Sequence, residues 1–208
     1  MKTKIILLLS IFVFSLPALA QEYIPRLELD KREKKMFSSR DSVIHLKIDT
    51  LILKDRSSLQ FLHKKKVILE VGYAEIGDKV KIFGSDGQNN GSDFDINIHL
   101  ASLGDLYLDA GGLRATKGRQ ALPHGNGGTV NFVYNTKGMI PQTKEAKESN
   151  YLRVNVSGGD NLSDSRSEIS IIQSQIGQNT GRPLGGLPQG KVYQGVAGEN
   201  GKVTITGK

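Results

Sequence analysis

Residues 44–51 of the chain read IHLKIDTL, with apolar side chains separated by two, two and three positions. The same spacing recurs in residues 67–74, VILEVGYA, and in residues 96–103, INIHLASL, at offsets of 23 and then 29 residues. Alternating apolar and polar residues are typical of a β-strand with one buried face, and recurrence at a period of about 20 to 30 residues is typical of a solenoid. The sequence therefore predicts stacked copies of a strand-containing unit. The matched apolar positions are Ile44, Leu46, Ile48 and Leu51; Val67, Leu69, Val71 and Ala74; and Ile96, Ile98, Leu100 and Leu103.

Each copy is followed by a second, shorter apolar pair, which predicts a second strand per copy. These pairs are Leu59 and Phe61, Val80 and Ile82, and Leu106 and Leu108. The six extra residues of the second interval are assigned to a loop within the Gly-, Asn- and Asp-rich stretch 84–94. Further strands are expected around residues 130–134, 152–156, 169–171 and 202–206, although the repeat itself becomes irregular there.

The predicted fold class is all-β, as a short parallel β-helix, or solenoid, with an N-terminal cap. One copy cannot bury its apolar face alone, whereas stacked copies share a continuous core and tolerate insertions at their corners. An antiparallel β-sandwich whose hairpins happen to have a similar spacing is the alternative. We expect the solenoid domain to span residues 44–176 and a Gly-rich segment with a last strand to span residues 177–208.

Over about residues 44 to 110, the strand spacing resembles that of exported bacterial right-handed parallel β-helix proteins. This superfamily includes pectate-lyase-like enzymes and surface adhesins. The resemblance implies parallel coils and either an adhesive or a polysaccharide-active protein. The phrase GNGGTVNF at residues 125–132 is also similar to the Gly-rich turns that lead into strands of bacterial surface proteins.

Residues 1–20 have the pattern of a secretory signal peptide. Lys2 and Lys4 precede an apolar run over residues 5–16, and a small-x-small signal predicts cleavage after Ala20. That run has twelve residues, whereas a membrane-spanning helix needs about 20. No second run of spanning length follows, so we expect no transmembrane segment after cleavage and a periplasmic, cell-surface or extracellular location.

The two segments that flank the repeat have unusual compositions. Residues 21–43 carry interleaved charges and are interpreted as a charged leader or cap, in which Leu27, Met36 and Phe37 lie on one side of a short helix. In the C-terminal segment Gly195, Gly198 and Gly201 are three apart, as in collagen. That spacing does not continue, which favours turns before a last strand over a collagen-like stalk.

Composition excludes several classes of chemistry. The 208 residues contain no cysteine, which excludes a disulfide framework, a thiol enzyme and a Cys-ligated metal site. The four histidines are too scattered for a ligand motif, and neither a nucleophile elbow nor a phosphate-binding loop is present. We therefore assign no catalytic residue. Removal of residues 1–20 lowers the formal net charge from +7 to +5, which favours acidic partners.

Two side-chain clusters are candidate binding sites. Lys64, Lys65 and Lys66 lie between two predicted strands and form a basic corner that would attract an anionic polysaccharide or envelope surface. Nucleic acid is not an expected partner, because aromatic interleaving and a recognisable module are both missing.

The second cluster lies in the predicted loop, where Asp86, Asn90, Asp93 and Asp95 offer the oxygen ligands that calcium prefers. The spacing does not match an EF-hand, because Asn97 stands where a bidentate Glu is required. A polar turn is thus the favoured interpretation, and calcium is the single candidate cofactor.

The expected function is that of a secreted or cell-envelope structural or adhesive protein, non-enzymatic and able to bind polysaccharide. The alternative is a small polysaccharide lyase or hydrolase on a β-helix scaffold, with the acidic loop of residues 86–95 as its catalytic region.

Overall fold

The computed structural model describes residues 21–115, 122–145, 148–159 and 197–208. These ranges contain eleven β-strands and no helix. The strands are β1 (Gln21–Leu29), β2 (Lys34–Phe37), β3 (Val43–Leu53), β4 (Ser58–Leu62), β5 (Lys66–Ile76), β6 (Val80–Ser85), β7 (Asp93–Leu103), β8 (Asp105–Asp109), β9 (Val130–Tyr134), β10 (Tyr151–Asn155) and β11 (Val203–Gly207).

The strands form two parallel sheets between which the chain alternates. The odd-numbered strands form a six-stranded sheet in the order β1-β3-β5-β7-β9-β11, here called the long sheet. The even-numbered strands form a five-stranded sheet in the order β2-β4-β6-β8-β10, here called the short sheet. Every strand pair is parallel. The predicted β-solenoid is confirmed, and the antiparallel sandwich is wrong.

The core is a stack of apolar side chains that point inward from both sheets. Ile44 pairs with Val67, and Leu46 with Leu69, so that equivalent residues of successive coils lie one above the other. All four are buried. Full burial of such a side chain contributes about 1.5–3 kcal/mol, which makes the stacked columns the main source of stability.

The three-residue step in the apolar pattern corresponds to a bend within each long strand. In β3, Asp49 and Thr50 both remain outside the core, and Leu51 is buried again. Gly72 and Tyr73 do the same in β5. Since alternate residues of a strand face opposite sides, two consecutive outward residues require the strand to turn there. The step seen in the sequence is thus the corner of the coil.

The predicted register of the third copy is wrong by two residues. Val67 pairs with Phe94, not with Ile96, so the offset is 27 residues. In β7 the three-residue step lies between Leu100 and Leu103, one interval later than in β3 and β5, and the pairing shows an irregularity there. A shift of two residues keeps the same side chains inside, so the periodicity could not detect it. The predicted insertion is present as the seven-residue loop 86–92, where the preceding coil has residues 63–65.

The predicted N-terminal helix is wrong, because residues 21–29 and 34–37 form the edge strands β1 and β2. Glu22 pairs with Leu46, and Lys35 pairs with Leu59, so two charged residues occupy inward register positions. Met36 is exposed and Phe37 is buried. Inward-pointing charges on edge strands oppose further pairing, which is how a terminal coil can serve as a cap.

The later strand predictions are confirmed within the described residues. Strands β9 and β10 lie at the expected positions, and β11 pairs with β9 at the edge of the long sheet. The strand expected around Ile169 and Ile171, the boundary at residue 176 and the glycines between residues 177 and 196 lie outside the described ranges.

Five extended segments pack side by side where the chain passes from the short sheet to the long sheet. We call them the glycine bundle: residues 89–92, 110–113, 125–129, 156–159 and 197–202. The central segment, 125–129, forms a backbone hydrogen bond with each of the other four. These bonds join Gly91 N to Asn126 O (2.9 Å), Gly128 N to Ala110 O (2.8 Å), Gly159 N to Gly125 O (2.7 Å) and Gly127 N to Glu199 O (2.8 Å).

The glycines of the bundle are required by space. A Cβ atom on Gly125 would lie 1.7 Å from Asn89 O, and one on Gly198 would lie 1.9 Å from Gly125 O. Among the described residues the left-handed φ values of glycine are confined to Gly87, so backbone conformation is not the reason. Collagen uses glycine for the same reason, because no side chain fits where chains touch. Within the Gly-rich segment, residues 197–202 pack against residues 125–129 and 156–159 before the last strand.

A deletion that removes one whole coil tests whether the coils stack modularly. Deletion of residues 43–65 joins Ser42 to Lys66, the partner of Val43, and brings β1 against β5 and β2 against β6. We expect a soluble protein with β-sheet circular dichroism and a lower Tm, because neighbouring coils supply the contacts. Deletion of residues 47–68 joins Leu46 to Leu69 inside a strand, leaves one residue more, reverses the inward and outward faces after the junction, and should give aggregates. Equal behaviour of the two deletions would contradict modular stacking.

Candidate functional site

The predicted basic corner is not a cluster of three exposed lysines. Lys64 is fully buried. Its Nζ donates hydrogen bonds to Ser39 O at 2.7 Å, to Ser39 Oγ and to Asp41 O. The ammonium group thus anchors the loop between β2 and β3 and does not reach the surface, so Lys64 is wrong as a polysaccharide-binding residue.

The other two lysines of that corner differ in availability. Lys65 is exposed, whereas Lys66 Nζ forms an ion pair with Asp95 Oδ2 at 2.7 Å. The hydrogen bond with Asp95 raises the pKa of the Lys66 ammonium group. Binding of an acidic ligand at Lys65 and Lys66 stays a prediction, with Lys66 already neutralised by its neighbour.

The acidic loop folds around Asp86. Its Oδ1 accepts hydrogen bonds from Gln88 N at 2.6 Å and from Asn90 N at 3.0 Å, and its Oδ2 accepts one from Asn90 Nδ2 at 2.8 Å. This is the polar turn that the residue types favoured. Gly87 adopts a φ of 82°. It lies against the ring of His63, a residue of the corresponding loop in the preceding coil.

The four candidate calcium ligands do not converge. Asp93 Oδ1 accepts a hydrogen bond from Thr129 N at 2.7 Å, and Asn90 Oδ1 accepts one from Asn126 N at 2.8 Å. Asp95 is held by Lys66. In the described part of the chain no three His, Asp or Glu side chains are grouped to hold a metal ion. The geometry gives the calcium prediction no support.

A shallow groove of about 320 Å³ crosses the outer face of the long sheet. It runs over three neighbouring strands, β3, β5 and β7, and reaches Asn135, the residue after β9. Its polar lining consists of Lys47, Asp49, Glu70, Asn97, His99 and Asn135. Gly72 lies in the groove at the bend of β5, where the lack of a side chain keeps the surface open.

The two carboxylates of the groove are held by neighbours. Glu70 Oε1 lies 3.0 Å from His45 Nε2, and Asp49 accepts a hydrogen bond from the Tyr23 hydroxyl. That hydrogen bond raises the pKa of Tyr23. Among the described residues, the side chains of Lys47, Asn97 and His99 have no hydrogen-bond or ion-pair partner. These three are therefore free to contact a ligand.

A second depression, of about 360 Å³, lies beside the bend of the long strands and is dominated by ion pairs. Lys54 Nζ lies 3.1 Å from Glu28 Oε1 and 2.7 Å from Asp30 Oδ1. The hydrogen bonds with Asp30 and then with Glu28 raise the pKa of Lys54, and the hydrogen bonds from Arg26 and then from Lys54 lower the pKa of Glu28. The charged side chains in and around this depression form ion pairs with one another, so fewer of them are available to bind a ligand than in the groove.

Sequence analysis did not identify the groove residues. Lys47, Asn97 and His99 are single polar residues at outward positions of separate strands. The alternation of apolar and polar residues predicted that these side chains lie outside the core. It predicts the same for every outward residue, so it could not distinguish the groove residues from the others.

The described residues thus define a β-solenoid protein with a polar groove on its long sheet. No family model, curated protein or solved structure matches the chain. The described ranges contain no helix with the length and hydrophobicity that a membrane span requires.

Proposed function

We propose that this chain is an exported, non-enzymatic structural or adhesive protein of the cell envelope or the extracellular space, and that it binds polysaccharide in the groove of the long sheet. The observation that carries the proposal is the set of free polar side chains on two parallel strands of one sheet, Lys47 on β3 and Asn97 and His99 on β7. They lie around an open surface at Gly72 of β5, the strand between them. Lys47 pairs with Glu70, and Glu70 with Asn97, so these groups form one row.

A row of this kind suits a polymer with many hydroxyl groups. Adjacent strands lie about 4.8 Å apart, so donors and acceptors repeat along the groove at short, regular intervals. Tyr23 extends the same row, since it pairs with Lys47, and its side chain is 55% exposed. The Tyr23 ring offers an apolar face against which a sugar ring can pack, and the polar side chains beside it can form hydrogen bonds with the sugar hydroxyl groups.

Export is supported by the leader pattern of residues 1–20 and by the basic balance of the rest of the chain. Membership in the superfamily of right-handed parallel β-helix proteins of bacteria is part of the same proposal. It rests on the strand spacing and on the parallel coils.

The groove is tested by the double variant Asn97→Ala/His99→Ala. We expect its affinity for a bound polysaccharide to fall about tenfold or more, since each lost hydrogen bond contributes about 0.5–1.5 kcal/mol. Affinity electrophoresis against a panel of neutral and acidic polysaccharides measures the loss. Asn131→Ala, an exposed residue of β9 outside the groove, is the matched control and should retain binding. Unchanged binding by the double variant would place the ligand elsewhere.

The second candidate function is a small polysaccharide lyase or hydrolase. It is favoured by the presence of two carboxylates, Asp49 and Glu70, in the groove, because glycosidases act through a pair of carboxyl groups. The acidic loop of residues 86–95 is tied up in the hydrogen bonds described above. Size-exclusion chromatography of the polymer after incubation separates the two functions. If the parent protein shortens the polymer and the Glu70→Gln variant does not, the enzymatic function replaces the non-enzymatic proposal. If neither protein shortens the polymer, the non-enzymatic proposal is supported.

A further inference from the structure

The outer face of the short sheet carries a concentration of cations that sequence analysis did not detect. The register aligns one residue from each strand in a row across the sheet: Lys34, Ser58, Lys81, Tyr107 and Arg153. Ser58 is buried within this row, whereas the three cations are exposed. Lys34, Lys81 and Arg153 thus alternate with uncharged residues from strand to strand.

Three more cations continue this surface at the adjacent corner. Arg32, Arg56 and Lys79 stand two residues before Lys34, Ser58 and Lys81, and all three are exposed with φ values of 64°, 60° and 58°. The Arg32 and Arg56 amides donate to Asp55 O and Asp78 O of the next coil, which stacks the corners. In the described part of the chain none of the six cations forms an ion pair.

An aromatic ring lies at the centre of this surface. The Arg153 guanidinium carbon is 4.8 Å from the centroid of the Tyr107 ring, and Lys81 Nζ is 6.0 Å from it. The ring holds both cations in place from the strand between them, because a cation over an aromatic face is attracted by its quadrupole. Two acids of β8, Asp105 and Asp109, flank Tyr107 on this face. Asp109 is engaged by Asn155 Nδ2 at 2.8 Å and by Gly111 N.

We infer that this basic face of the short sheet binds an acidic polysaccharide. Lys34, Lys81 and Arg153 lie two strands apart from one another, which corresponds to about 10 Å. This spacing suits a polymer with one carboxylate for every second sugar. Duplex DNA, by comparison, carries one phosphate per strand for about every 3.4 Å of helix axis, which is a much denser array of charge. The basic face lies on a different sheet from the groove, so it is a second surface with its own ligand chemistry.

The test uses hyaluronan, which has one carboxylate per disaccharide, with neutral dextran, an oligothymidylate and anionic phospholipid vesicles as the other probes. We expect the protein to bind hyaluronan at low salt and to bind more weakly as salt increases, because the contacts are charged. The variant Lys81→Gln/Arg153→Gln should bind at least tenfold more weakly. Lys137→Gln/Lys202→Gln removes the same charge from exposed positions outside the basic face and should bind as the parent does.

Three results would overturn the inference. The first is equal loss with both double variants, which would mean that net charge alone attracts the polymer. The second is tighter binding of the oligothymidylate or of the vesicles than of hyaluronan. The third is retention of hyaluronan by Lys81→Gln/Arg153→Gln. The groove variant Asn97→Ala/His99→Ala should keep hyaluronan binding, so a failure of the groove proposal is distinguishable from a failure of this one.

Discussion

Replacement of Gly112 by alanine is expected to destabilise the protein by about 3 kcal/mol or more, because the new methyl group has no space. A Cβ atom at this position would lie 2.0 Å from Gly125 O, a backbone atom of the central segment of the glycine bundle. The two segments would have to separate, which would break the hydrogen bond from Gly125 N to Leu113 O. Urea denaturation followed by circular dichroism measures the change in the free energy of unfolding.

The adjacent residue, Gly111, is the matched control. A Cβ atom there would lie 2.5 Å from Asn155 Nδ2, the end of a side chain that can rotate away. We expect Gly111→Ala to cost clearly less than Gly112→Ala. Since both glycines belong to the same segment, equal losses would show that the contact with Gly125 does not determine the effect.

Replacement of Lys64 by alanine is expected to cost about 3 kcal/mol or more, since each hydrogen bond to a charged group contributes about 1.5–3 kcal/mol. The variant leaves Ser39 O and Asp41 O without their ammonium donor and opens a cavity where the four-carbon stem lay. Lys65→Ala, one residue further and exposed, should change the free energy of unfolding by less than about 0.5 kcal/mol. Thermal and urea unfolding of the two variants provide the comparison.

Lys64→Met separates packing from hydrogen bonding. Methionine keeps most of the apolar stem but has no ammonium group, so we expect a stability between those of Lys64→Ala and the parent protein. A Met variant as stable as the parent would show that the bonds to Ser39 and Asp41 contribute nothing to stability. That result would contradict the role assigned to this lysine.

Much of the fold followed from local patterns in the sequence. The alternation in β3 and β5 predicted strands, and their shared spacing of two, two and three aligned Leu51 with Ala74, which are register partners. The position of the inserted loop and the last strand were also predicted correctly. Each of these features depends on residues close together in the chain, where periodicity is informative.

Candidate binding residues were much less predictable. Three consecutive lysines suggested a basic corner, but the fold buries Lys64 and pairs Lys66 with Asp95. The basic face of the short sheet is built from Lys34, Lys81 and Arg153, which are far apart in the chain and follow no motif. Only the strand register reveals that they share one row.

By itself, the sequence determined that this protein is an all-β chain of repeated strands with one apolar face. The tertiary structure decided the register of β7 against β5, the conversion of a charged leader into edge strands, and the packing of Gly125 against segments as distant as residues 197–202. The physical reason is the range of the interactions. The alternation of apolar and polar residues is a property of a single strand. The strand register, the burial of Lys64 and the close contact of segments at the glycines depend instead on which coils are neighbours in the stack.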